Sequence, residues 1–143
     1  MRQLRGFAAA ICLAALASPS SASPTSFNLT CAGSLSVQSP WDIREEPYRT
    51  VYRVNLGLGK WCEDDCRRQY NIEKTTATSL TLRKTDDGAF YHSNSVDRQT
   101  GEQVAMMHSE MPSGSATAKF YWLWTGKCER SEFTGFPPFK RQF

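Results

Sequence analysis

Residues 27–37 read Phe-Asn-Leu-Thr-Cys-Ala-Gly-Ser-Leu-Ser-Val, and their order decides the fold class. The odd positions, Phe27, Leu29, Cys31, Gly33, Leu35 and Val37, are apolar or small. The even positions, Asn28, Thr30, Ala32, Ser34 and Ser36, are small or polar. Side chains alternate faces along a strand but recur every 3.6 residues along a helix. Strict alternation over this stretch therefore predicts a half-buried β-strand. Gly33 within it predicts a bulge or a bend.

The same period recurs downstream. Tyr48 to Leu58 places Tyr48, Thr50, Tyr52, Val54, Leu56 and Leu58 on one face, with Arg49, Arg53 and Asn55 on the other. Ser39 to Pro47, bounded by Pro40 and Pro47 and charged between them, reads as a loop. A weaker strand is expected around Tyr70 to Thr75, then Ser79 to Thr85 with Leu80 and Leu82 inward. Asp86-Asp87-Gly88 is a tight-turn signal that returns the chain through Ala89 to Val96. Gln99-Thr100-Gly101 and Pro112-Ser113-Gly114 are two further turns, flanking Glu102 to Ser109. The last strand, Ala116 to Cys128, carries Phe120, Trp122, Trp124, Gly126 and Cys128 on one face. The expected fold is all-β: a small antiparallel barrel or sandwich of about seven strands, stapled by disulfides. Residues 129–143 read as an irregular tail that packs over an opening or an edge.

The start of the chain reads as a secretory leader. Arg2 and Arg5 precede the uncharged apolar run Gly6 to Ala17, which is too short to span a bilayer. Ser20 and Ala22 are the small residues that a signal-peptidase site needs, so residues 1–22 are expected to be removed. The remaining 23–143 form one β domain in the periplasm or outside the cell, with no transmembrane segment. Removal takes away Arg2 and Arg5, leaving 15 Lys and Arg against 14 Asp and Glu. That near balance gives no electrostatic footprint for nucleic acid.

Removal also takes away Cys12 and leaves Cys31, Cys62, Cys66 and Cys128. An even number in an exported chain predicts two disulfides, and three pairings are possible. Cys31 with Cys128, and Cys62 with Cys66, is preferred, because closing a sheet brings its first and last strands together.

Four short motifs recur in order: Phe-x-Leu-x-Cys-x-Gly at 27–33, Tyr52-Arg53-Val54 running to Trp61-Cys62, Val96-Asp97-Arg98-x-Thr-Gly ending at Gly101, and Gly126-x-Cys128. In these the chain resembles a loose group of small exported bacterial β-proteins of unassigned function. The resemblance implies export, the β class and the outer cysteine pair, and it implies no activity.

The reactive groups have plain structural readings. Trp61-Cys62-x3-Cys66 has the wrong spacing and surroundings for a thioredoxin-type dithiol. Glu63, Asp64 and Asp65 disfavour a thiolate, so the pair is expected to be a structural cystine. The acids followed by Arg67 and Arg68 suit one helical turn. Zinc needs four ligands, and His92 is far along the chain. The acidic pairs Glu45-Glu46, Asp64-Asp65 and Asp86-Asp87 read as solvated turn formers, and His92 and His108 as the polar faces of strands. Asp97, Arg98 and Thr100-Gly101 are expected to close a turn, with Asp97 and Arg98 free to pair. No catalytic residue, metal ligand or cofactor is assigned. Phe120, Trp122 and Trp124 are expected to be core, with the lining of a pocket at the barrel mouth as the alternative. The function expected is a non-catalytic binding or envelope-associated protein, with an unknown protein or a small apolar ligand as partner. One alternative is an inhibitor of a cell-wall lytic enzyme acting through Asp87-Gly88-Ala89-Phe90-Tyr91. The other is a hydrolase with an unrecognised site.

Overall fold

The computed structural model describes residues 25–114 and 116–137. The leader, Cys12 and the end of the tail lie outside the described residues. Nine strands are described: β1 Ser26–Gln38, β2 Ile43–Asn55, β3 Lys60–Glu63, β4 Gln69–Asn71, β5 Lys74–Thr75, β6 Ser79–Asp86, β7 Phe90–Asp97, β8 Glu102–Ser113 and β9 Ala116–Ser131. All belong to a single antiparallel sheet in the order β4-β3-β2-β1-β9-β8-β7-β6-β5. The barrel-like expectation holds and the two-layer sandwich does not.

The curl of the sheet follows from its connectivity. Its outermost strands, β4 and β5, are separated in sequence by Ile72 and Glu73 alone. Three peptide steps reach at most about 11 Å, so the two edges meet where this segment crosses from β3 to β6. Above the crossing the seam is open. Residues 43–50 of β2 pair with β1 on one side, and among the described residues no strand pairs with their other edge. Arg44, Glu45, Glu46 and Pro47 populate that edge. Charge and proline are what keeps an open edge from recruiting another strand.

The differences from the sequence-based expectation have local causes. Nine strands replace seven because Lys60–Glu63 pairs with β2 and because the stretch from Tyr70 to Thr75 changes partner midway. Two to four residues are too few to display a period. The expected loop from Ser39 to Pro47 shrinks to Ser39–Asp42, closed by the Ser39 amide donating to the Asp42 carbonyl at 2.8 Å. Pro47 is tolerated inside β2 because that part of the strand has only one neighbour. Gly33 makes no bulge, since its pairing is unbroken on both sides. The bulge lies instead in β6, between Thr81 and Arg83.

Three turns stand where expected, with Gly88, Gly101 and Gly114 at positive φ. Asp97 and Arg98 do not pair. Asp97 Oδ1 accepts the Gln99 and Thr100 amides, both at 2.8 Å, and Arg98 reaches the Thr76 carbonyl. The Glu63–Cys66 segment is not a helical turn. Asp64 and Cys66 have φ of 46° and 55°, a reverse turn with left-handed residues.

Both cystines pair as expected, Cys31 with Cys128 and Cys62 with Cys66. The core gathers below the open seam, from Phe27, Leu29 and Cys31 of β1, Tyr52 and Val54 of β2, Trp61 of β3, Leu80 and Leu82 of β6, and Val96 of β7. Beyond β9, Thr134 accepts hydrogen bonds from Asn28 and Arg53, each at 3.0 Å. These two residues form a cross-strand pair that alternates with the core-facing Phe27–Val54 and Leu29–Tyr52 pairs. At Thr134 the described part of the tail thus lies over the outer face of β1 and β2, not over an opening.

Candidate functional site

The register explains why the concave face holds a cavity. Tyr48, Gly33, Gly126 and Gln103 lie in one row across β2, β1, β9 and β8. The two glycines leave the middle of that row bare. Over them the Tyr48 hydroxyl reaches Gln103 and donates to its Oε1 at 2.6 Å. A Cβ on Gly126 would stand 2.6 Å from the Tyr48 oxygen, so glycine is what permits the crossing. In the next row Leu35, Trp124, Ala105 and Asn94 are in register, and the small Ala105 leaves space beside the indole. Of these small residues Ala105 lines the cavity, while Gly33 and Gly126 allow the close approach of β1, β9 and the Tyr48 hydroxyl.

Its volume is about 290 Å³. Tyr48, Tyr52, Trp61 and Trp124 supply its aromatic walls, and Glu63, His92 and Asn94 its polar ones. Gln103, 1 % exposed, anchors the floor. Besides accepting from Tyr48, it donates from Nε2 to the Tyr52 hydroxyl at 2.9 Å and to Asn94 Oδ1 at 3.1 Å. A buried amide with its partners satisfied is stable in a core where a lone one is costly. Burial pushes the Tyr52 hydroxyl well above the usual tyrosine range, so it stays protonated.

The turn held by the Cys62–Cys66 cystine supplies the acidic wall. Asp64 Oδ1 accepts from the Thr50 hydroxyl at 3.0 Å and the Val51 amide at 2.9 Å. Glu63 stands beside it and receives only a long contact from Thr50, 3.4 Å. Partial desolvation, with Asp64 adjacent, raises the Glu63 pKa above 4.5. Opposite, burial and then Arg83 hold His92 below its ordinary 6.5. The β6 bulge has a role here: it brings Arg83 into register with Asn94, and its guanidinium lies 5.0 Å over the Tyr70 ring.

These shifts have opposite consequences for stability. An unfolded imidazole takes a proton before the folded one does. The stability due to neutral His92 is therefore complete above about pH 6.5 and is lost as pH falls toward its depressed folded value. Glu63 has the reverse sign, because its folded form holds a proton longer; the cost of ionising it is relieved as pH falls toward 4.5. We expect the Tm of His92→Gln to fall less than that of the parent between about pH 7.5 and about pH 5.5. Parallel pH dependences in thermal melts would show that His92 does not titrate in this way.

Phe120, Trp122 and Trp124 share the concave face as expected, but they are not core. All three are half-buried and stand outside the buried cluster. Phe120 and Trp122 rings lie 6.0 Å apart and 16° from parallel, and Trp41 of the β1–β2 turn tilts onto Phe120 at 5.7 Å. The row runs from the open rim down to the cavity, where Trp124 is the shared residue. The core contribution expected of Trp122 comes instead from Trp61, which the sequence presents only as a neighbour of a cysteine.

The remaining candidates are dispersed. Asp65 pairs with Arg67 at 2.6 Å, Glu45 accepts from Ser34, and Asp86 and Asp87 cap their turn. His108 stacks on Tyr121 at 5.1 Å, away from the cavity on the outer face. Among the described residues no group of His, Cys, Asp and Glu is placed to hold a metal ion. Among the same residues no helix is long and apolar enough to cross a membrane.

Fold and site together define a single-sheet half-barrel, cystine-stapled, with an aromatic row leading into a small polar-walled cavity. No protein-family model, no curated protein and no solved structure matches the chain.

Proposed function

We propose that the protein is an exported, non-catalytic binding domain, working in the periplasm or outside the cell, whose concave face takes a small ligand with a flat apolar side. The observation that carries this reading is the position of Phe120, Trp122 and Trp124. A purely structural sheet buries its large rings, whereas these stay half-exposed on the hollow side and end at a cavity. Two cystines fit an oxidising compartment. The likeness to small exported bacterial β-proteins is consistent with the same setting.

The test is binding of an apolar fluorescent probe, anilinonaphthalene sulfonate, to the oxidised protein. The parent is expected to bind it saturably. Trp124→Ala, which opens the cavity wall without touching the buried cluster, is expected to weaken binding about tenfold with little change in Tm. A folded parent that binds no probe, or a variant that binds as the parent does, would remove the concave face as the site.

A further inference from the structure

Resting on that binding reading, we propose that the ligand is a carbohydrate: one neutral sugar ring in the cavity, with further rings of a longer chain lying along Trp122 and Phe120. The two kinds of wall select this chemistry. The C–H bonds on the flat face of a pyranose carry partial positive charge and stack on the negative face of an aromatic ring such as Trp124. The hydroxyls around its edge each donate and accept, and the polar lining offers a carboxylate on Glu63, an imidazole on His92 and an amide on Asn94.

Other ligand classes fit less well. An acyl chain would cover these polar groups and leave them unpaired, which is costly for each buried group. A phosphate would meet Glu63 and Asp64. A cation would meet Arg49, which also lines the cavity, with Arg83 acting on Glu63 from beyond. Acid and base are thus balanced around the space, and a neutral polyhydroxylated ring offends neither. The volume of about 290 Å³ holds roughly one or two such rings.

The row above the cavity extends the argument to a chain. Residues two apart on a strand present their side chains on one face about 6.6 Å apart, so β9 displays Trp124, Trp122 and Phe120 as successive contacts. The seam left open beside residues 43–50 of β2 gives a longer ligand a lateral exit.

Calorimetric titration of the oxidised protein tests this with glucose, N-acetylglucosamine and their α- and β-linked tetrasaccharides. At least one tetrasaccharide is expected to bind, about tenfold more tightly than its monomer. Trp124→Ala and Glu63→Gln are expected to weaken monomer and tetramer alike, each about tenfold, and Trp124→Phe to retain part of the affinity. Trp122→Ala is expected to weaken the tetramer only. Tm values and disulfide maps certify that each variant is folded. If every saccharide fails while the apolar probe still binds in a Trp124-dependent way, the carbohydrate inference falls and the binding reading stands. If saccharides and probe both fail, both fall.

Discussion

Oxidised protein with both Cys31 and Cys128 replaced by alanine is expected to unfold with about 3–5 kcal/mol less free energy than the parent. The bridge joins residues 97 apart, so in the unfolded chain it closes a loop over most of the domain. In the chain-entropy model a loop near that size contributes about 4.7 kcal/mol, and measured values run lower. Cys31 and Cys128 are opposite one another on adjacent strands, and Cys31 is fully buried in the core. The Cys62–Cys66 bridge closes a far shorter loop, and the same model assigns it about 2 kcal/mol. Its removal should act chiefly on the turn that holds Glu63 and Asp64. Urea denaturation of the two double variants measures both. A loss below about 1 kcal/mol for the outer pair, or a larger loss for the inner one, contradicts this assignment.

Trp61→Ala is expected to cost about 3–5 kcal/mol, and Trp122→Ala less than about 2 kcal/mol. Trp61 is 2 % exposed. Its ring lies between Tyr52 at 5.7 Å and Tyr70 at 4.9 Å, and its Nε1 donates to the Asn71 carbonyl at 3.1 Å. Truncation leaves a cavity at the point where β3 and β4 complete the curl, and strips a carbonyl of its donor. Trp122 has solvent on one side, so its removal exposes less. Equilibrium unfolding of both variants decides the matter. The reverse order would move the core to the β9 face and remove the case for a ligand there.

Much of the fold is legible residue by residue. The alternation at Phe27–Val37 and Ala116–Cys128 identifies β1 and β9, because a period of two is a local property that needs no partner. Asp87-Gly88 and Thr100-Gly101 mark turns for the same reason: a positive φ is a demand on one residue. The site is less legible. Tyr48, Thr50 and Tyr52 fall on one face by alternation, and Trp124 on another, yet nothing local says that those faces meet across a hollow. Gln103 carries no local signal of burial, and only its partners at Tyr48, Tyr52 and Asn94 make it intelligible. Gly33 reads as a bulge or a bend, and nothing local says that a tyrosine hydroxyl comes close at Gly126.

The all-β class, the long strands and the tight turns are legible in the local sequence, which also favours one of the three possible pairings of the four cysteines. Each depends on neighbours along the chain or on the simple fact that first and last strands of a closing sheet adjoin. The tertiary structure alone decided how many short strands there are, since Lys60–Glu63, Gln69–Asn71 and Lys74–Thr75 exist only through their partners. It also decided which part of an apolar face is core. Along β9 the alternation continues unchanged from Cys128 to Phe120, but the sheet meets itself only at the Cys128 end. Where it closes, the inward face forms the main buried cluster; where the seam is open, Val37 and Ala118 are still buried but the large rings Phe120, Trp122 and Trp124 stay half-buried.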